Sequence, residues 1–310
     1  MLSQIYHDDM KEVKKNSLRA WVLAARPKTL TGAAVPVMIG LALAYVDAKE
    51  YMGDVFSWTA AVLCLLFAFV MQIDANFVND LFDYAKGTDD NATRLGPPRA
   101  CAQGWVSVER MKQAVALTTC LACLVGLPLV LYGGLEMILV GAVCVLFCFL
   151  YTTHLSYMGL GDVLVLVFFG LVPVGITYYV QLHTFTTEVI VAALACGLVI
   201  DALLLVNNFR DRDTDQLAGK NTLVVRIGAD ATLWLYAGVG VVACLMGCVF
   251  LQNGHVLAVV LPMLYLVLHL TTWLKMKKIW QGRQLNECLG ETARNIFVYG
   301  LAVALGILLT

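Results

Sequence analysis

Apolar runs recur along this chain at lengths that suit a lipid bilayer rather than a soluble core. Nine can be read, at 29–46, 56–76, 114–132, 135–151, 161–180, 187–207, 232–251, 255–274 and 295–309. A helix needs about 20 mostly apolar residues to cross the hydrocarbon. The alternation of a membrane strand is missing, and lipid cannot satisfy free backbone groups, so the runs are predicted to be helices. The predicted fold class is all-α, a polytopic membrane protein with nine transmembrane helices. Residues 29–310 make a single transmembrane domain, and residues 1–28 a polar N-terminal segment. Within that segment 17–25 (SLRAWVLAA) mixes apolar and basic residues around Trp21, just before Pro27. It reads equally as a short interfacial helix or as an extension of the first span.

The connections alternate. Those after spans two, six and eight are long and charged, and those after spans one, three, five and seven are brief. Of 21 Lys and Arg residues, 20 fall on one side, and only Lys49 lies opposite. Positive charge stays inside, so the N-terminus and the charged connections are expected in the cytoplasm and the C-terminus outside. The first 20 residues lack an apolar core with a cleavage site, so no cleaved signal peptide is expected.

Composition supports this reading. The chain is 60% hydrophobic and 14% charged, where soluble domains are about a quarter charged. Its mean hydropathy is +0.78. A net charge of −1 gives no reason to expect a nucleic-acid partner. Nine of the ten cysteines lie in or beside apolar spans, with no His or second CxxC at metal spacing, so they are expected to be packing residues. Nothing in the pattern specifies an oligomeric state.

Two acidic stretches break the apolar pattern. Span two ends in NFVNDLFDYAKGTDD (76–90), and span six ends in NNFRDRDTDQLAGKNTL (207–223). Both spans run in the same direction, so both stretches meet one aqueous face. Asn76 precedes Asp80 by four, as Asn207 precedes Asp211. Asp83 and Asp215 follow, and then Gly87 and Gly219. Residues three or four apart share a helix face, so each stretch can project an Asn and two carboxylates into one space. Facing carboxylates repel unless a cation intervenes, and an oxygen-only donor set selects Mg²⁺ or Ca²⁺. Mg²⁺ binds one or two carboxylates and completes its shell with water and phosphate oxygens. Four carboxylates and a diphosphate carry roughly −7, of which two Mg²⁺ ions return +4. Basic residues must supply the remainder, and Arg26, Lys28, Lys86, Arg99, Arg210 and Lys220 lie near the clusters.

A lone Asp at a span end is ordinarily a solvated cap. Two matched clusters on parallel spans call for another explanation. An ion-coupled transporter is the alternative of another class, but transporters hold such acids near the midplane. Here the acids sit at span ends, and the spans themselves read as nearly free of charge.

Four segments carry a resemblance: RPKTLTGAAVPVMIG (26–40), NDLFDYAKGTDDNATRLGPPRACAQGWVS (79–107), YMGLGDVLVLVFFG (157–170) and NNFRDRDTDQLAGKNTLVVRIG (207–228). In these the chain resembles the UbiA-type intramembrane aromatic prenyltransferases, nine-helix enzymes with two Asp-rich motifs. It is most similar to their naphthoate branch. The resemblance implies a UbiA-like bundle with two Asp-rich cytoplasmic loops in a bacterial inner (plasma) membrane. It implies Mg²⁺-dependent transfer of a polyprenyl group from polyprenyl diphosphate to 1,4-dihydroxy-2-naphthoate. Decarboxylation would give the demethylmenaquinol skeleton and diphosphate, with the prenyl tail among membrane lipid. The same chemistry on 4-hydroxybenzoate or homogentisate is the nearest alternative.

The residues implied follow the motifs. Metal would be held by Asn79, Asp80, Asp83, Asp211 and Asp215, with Asp89 or Asp90 as a further contact. The wider family has Asp where Gly87 stands here, and the NDxxDxxxGxD form resembles the naphthoate branch. Asn76, Asn79, Asn208, Arg26, Lys28, Lys86, Arg99 and Lys220 would bind substrate. Asp80, Asp83, Asp211 and Asp215 would act in catalysis with Asp162 and Tyr151. Asp162, in GLGD, would orient the aromatic ring or take a proton, or else be a helix N-terminal charge. Tyr151 and Tyr157 would face a developing carbocation, or else belong to an interfacial belt.

Overall fold

The computed structural model describes residues 13–51, 53, 55–87, 94–155 and 158–310. Asp89, Asp90 and Tyr157 lie outside the described residues. Among those residues nine helical stretches are long and apolar enough to cross a membrane, and no strand occurs.

The chain begins with α1 (Leu18–Ala25), capped by Ser17, whose hydroxyl accepts the Ala20 N–H at 3.3 Å. Residues 17–25 therefore form a separate short helix. Ala20 and Ala24 are buried, and Trp21 meets Phe77 edge-on at 5.6 Å. Arg26 takes a left-handed backbone, φ 50°, and a 3-10 turn (Pro27–Thr29) leads into α2 (Leu30–Tyr51). Then come α3 (Trp58–Ala85), α4 (Val108–Gly126) and α5 (Glu136–Leu150). A π turn, Tyr151–Leu155, closes α5. Next, α6 (Gly161–Val165) passes through a second π turn (Leu166–Leu171) into α7 (Val172–Leu182). The long helices that follow are α8 (Thr187–Leu217), α9 (Ala229–Met246), α10 (Met263–Ile279) and α11 (Leu285–Leu308).

Three helices outrun their apolar stretches. α3 continues to Ala85 and α8 to Leu217, while α11 begins at Leu285. The acids expected in loops thus stand on the last turns of helices. Hydropathy marks where a helix leaves lipid, not where it ends. Both α3 and α8 stop at a left-handed glycine, Gly87 at φ 71° and Gly219 at φ 70°.

α2 and α8 form the centre. Two-thirds (67%) of the apolar window of α8 is buried, against 11% for α5 at the periphery. α2 packs on α11, α7, α3 and α8, and α8 packs on α9, α11 and the second π turn. That last contact depends on missing side chains. A Cβ on Gly170 would lie 2.5 Å from the Ala193 carbonyl oxygen and 2.9 Å from Gly197 Cα.

The spans are less free of charge than their hydropathy suggests. Asp74, Glu188 and Asp201 are all buried within them. Asp74 is satisfied by the hydroxyls of Thr118 and Thr119 on α4. All ten cysteines are free thiols. Cys101, the one cysteine neither in nor beside an apolar run, is buried with Trp105, Val106 and Phe77.

Candidate active site

The site is built around the ends of α3 and α8 and the segment 94–101 that joins them. Asp80, on α3, is fully buried. Its two oxygens accept the backbone N–H groups of Ala100 and Cys101, each at 2.8 Å. Arg26 Nη2 stands 3.8 Å away, carried there by the left-handed turn between α1 and α2. One helical turn on, Asp83 pairs with Arg99 at 3.2 Å.

On α8 the Arg210 guanidinium, 1% exposed, grips Asp211 with two bonds, Nε at 2.8 Å and Nη2 at 2.5 Å. The same guanidinium donates to Asn207 Oδ1 and to Asn286 Oδ1, both at 2.8 Å. Asn286 in turn donates to the Leu95 carbonyl at 2.8 Å. A Cβ on Gly96 would lie 2.6 Å from Arg210 Nη2, so the segment 94–101 lies directly on this clamp. One short segment therefore touches Asp80 at one end and the Asp211 clamp at the other. Asp215 pairs with Lys220 at 3.5 Å, while its buried Oδ2 has no hydrogen-bond partner.

The first π turn closes a further side. The Thr152 hydroxyl donates to Asn79 Oδ1. Lys86 Nζ donates to the carbonyls of Thr152 (3.1 Å) and Thr153 (2.6 Å). That turn carries Tyr151, which lies within electrostatic reach of Asp83, Arg99, Asp162 and Asp201. Asp162 is buried at the start of α6 with Oδ1 unpartnered.

Some expected residues do other work here. The Asn76 amide donates to the Ala25 carbonyl and the Thr29 hydroxyl, both at 2.9 Å. It pins the turn that carries Arg26 instead of projecting with the carboxylates. Lys86 holds the 151–155 backbone. Lys28 is exposed on the 3-10 turn. Asn208 is buried on the same helix face as Asp215. The sequence reading passed over Asp201, whose single charge is diluted within an apolar run. Its signal was the seven-residue spacing Asp201, Asn208, Asp215, which places three polar groups on one face.

Oxygen donors in this number suit a hard cation. Among the described residues no three acidic or imidazole groups stand close enough to cage a metal unaided. An ion that takes its remaining ligands from phosphate and water needs no such cage.

Comparison with known proteins gives the context. Residues 33–286 match the UbiA prenyltransferase family. The chain belongs to that family. A 1,4-dihydroxy-2-naphthoate octaprenyltransferase of Escherichia coli (strain K12) is 38% identical over 228 residues, 71% of this chain and 72% of the relative. One from Mycobacterium tuberculosis is 34% identical over 292 residues, 93% of this chain and 96% of the relative. The fold matches that of a UbiA homolog from Archaeoglobus fulgidus bound to DMAPP and Mg²⁺. The TM-score is 0.63 at 14% identity, over 92% of this chain and 98% of that one.

Proposed function

We propose that this UbiA-family enzyme transfers a polyprenyl group from polyprenyl diphosphate to 1,4-dihydroxy-2-naphthoate, releasing CO₂ and diphosphate and giving demethylmenaquinol. The observation that carries the reading is the convergence of two carboxylate-bearing helix ends on one segment, 94–101, in a chain whose relatives bear the naphthoate name. The reaction would occur at the cytoplasmic face of a bacterial inner membrane, with the prenyl tail in the apolar bundle or in lipid.

The donor set fits Mg²⁺. Asp83, Asp211 and Asp215 offer carboxylate oxygens, and Asp215 Oδ2 is buried without a partner. Asp80 retains a lone pair on each oxygen beyond its amide bonds, and Asn79 adds a carbonyl oxygen. When bound, Mg²⁺ supplies positive charge against the leaving diphosphate. The rest falls to the protein. Each carboxylate now carries its own cation: Arg99 on Asp83, Arg210 on Asp211, Lys220 on Asp215. Arg99 and Lys220 turn from these carboxylates to the diphosphate oxygens as substrate arrives. Arg210, locked by four bonds, stays and holds Asp211 in place. The half-buried Tyr151 helps to shield the site from water, which would trap an allylic cation as an alcohol. Its ring face stabilises such a cation without attacking it.

The test is product analysis. Membranes carrying the chain receive labelled polyprenyl diphosphate, Mg²⁺ and either 1,4-dihydroxy-2-naphthoate or 4-hydroxybenzoate. Prenylated naphthoquinol with CO₂ release is expected. Product from the benzoate alone would keep the chemistry and overturn the acceptor.

A further inference from the structure

Two buried acids have no part in holding diphosphate. Asp201 lies within the membrane-crossing part of α8 and is 5% exposed, and Asp162, at the start of α6, is 8% exposed. In each, Oδ1 meets neither solvent nor a hydrogen-bond partner. Among the described residues, the charged group that acts on Asp201 is Asp162, another acid. An unmade bond at a buried polar oxygen is costly, and more so at a charged one. Two such oxygens within electrostatic reach of each other offer unfilled acceptor sites to hydrogen-bond donors.

Their placement indicates which donors. Asp201, Asn208 and Asp215 are spaced by seven and share one face of α8, with a drift of about 20° per step. Each step is about 10 Å along the axis. The face is a polar stripe that runs from the diphosphate carboxylates into the membrane. Tyr151 lies within electrostatic reach of Asp83 and Arg99 and also of Asp162 and Asp201. A Cβ on Gly161 would be 3.8 Å from the Tyr151 hydroxyl and 3.3 Å from Leu204. The Gly170–Gly197 contact holds the second π turn, and with it α6, against α8. The pair thus lies near Tyr151, along α8 from the diphosphate carboxylates, within the space open to a ring that attacks the prenyl carbon.

We propose that Asp162 and Asp201 together seat the aromatic acceptor by accepting hydrogen bonds from its ring hydroxyls, and that this pair takes the proton of the hydroxyl beside the attacked carbon. The inference rests on the prenyl transfer proposed above. The hydroxyl proton passes to a carboxylate, and the O–H electron pair becomes a C=O bond. The ring's electron pair forms the bond to the prenyl carbon, whose C–O bond breaks with its pair leaving on diphosphate. The adduct is a β-keto acid. Loss of CO₂ returns the C–C electron pair to the ring, and the carbonyl oxygen takes the proton back. No proton is consumed and no oxidant is needed. General acid–base help of this kind contributes about 10²–10⁴-fold.

The test uses the full chain in membranes, with Asp201→Asn and Asp162→Asn beside the wild type. The constants measured are kcat and KM for 1,4-dihydroxy-2-naphthoate, KM for polyprenyl diphosphate, and the rate with 4-hydroxy-2-naphthoate, which lacks the hydroxyl in question. Each variant is expected to lose about 10²-fold in kcat/KM for the naphthoate. KM for the diphosphate should stay within about twofold, and the variants should lose much less with the deoxy analogue, which has no proton to give at the attacked position, than with the naphthoate. Mg²⁺-dependent binding of polyprenyl diphosphate by each variant, measured separately, guards against misfolding. Unchanged naphthoate constants would overturn the proposal. So would parallel loss with the deoxy analogue, or loss of diphosphate binding, either of which would make the pair part of the fold alone. If the wild type prenylates only another hydroxyaryl acid, the naphthoate assignment fails, and the pair is judged on the same constants for that acceptor. If it prenylates none, both readings fall.

Discussion

Asp80 and Asp83 stand one turn apart on the same helix and do different things. Asp80 is buried and accepts two backbone amides, so it ties the segment 94–101 to α3. Asp83 is 21% exposed at its side chain and pairs with Arg99, which can turn away. Asp80→Asn loses one of the amide bonds and places an NH₂ against an N–H. The expected cost is about 1–3 kcal/mol, read as faster limited proteolysis within 94–101; Asp83→Asn should cleave at the wild-type rate. Arg210 is a second such tie. Arg210→Lys keeps the charge but loses the fork that binds Asp211, Asn207 and Asn286 together. Its kcat/KM is expected to fall about tenfold or more, since misplacement of a metal-holding carboxylate is costly. Wild-type turnover by the lysine variant would show that charge alone suffices there.

At the scale of elements, the contact of the second π turn with α8 sets the spacing between α6 and α8. Gly170→Val would force side-chain atoms onto the Ala193 carbonyl. Overpacking of this kind costs about 1–3 kcal/mol, so a lower unfolding temperature in detergent is expected, with the diphosphate-binding helix ends left intact. The sequence shows the limits of reading elements by hydropathy. The nine apolar runs coincide with the nine spans found among the described residues because lipid imposes helix and length together. The aqueous turns of α3 and α8 carry Asn79–Asp83 and Asp211–Asp215 beyond the lipid, where hydropathy has no signal and only the glycines mark an end. The short helix α1 was half legible from its apolar and basic mixture. The left-handed Arg26 that sets it off was not, because arginine has no preference for that backbone.

For the whole molecule, matched motifs on two parallel spans predicted that the carboxylates would meet; the segment 94–101 contacts both helix ends, Asp80 at one end and the clamp that holds Asp211 at the other. What the motifs did not contain was the partner of each charge. Asn76 on the Ala25 carbonyl, Lys86 on the Thr152 and Thr153 carbonyls, and Asn286 on Arg210 are contacts over 51 to 76 residues of chain, and no local pattern encodes them. The strong bias of basic residues to one side predicts orientation. In a background without reactive cysteines, Lys220→Cys and Arg283→Cys should react with a membrane-impermeant maleimide only from the cytoplasmic side. Lys49→Cys should react only from the other. The central claim, that the ends of α3 and α8 jointly hold one diphosphate through Mg²⁺, is tested most directly by binding of a non-reactive polyprenyl diphosphate analogue to the purified chain. The account predicts saturable binding with Mg²⁺, none with EDTA, and losses of at least about tenfold in affinity for Asp83→Asn on α3 and for Asp215→Asn on α8. Wild-type affinity in either variant, or binding that ignores EDTA, would contradict it.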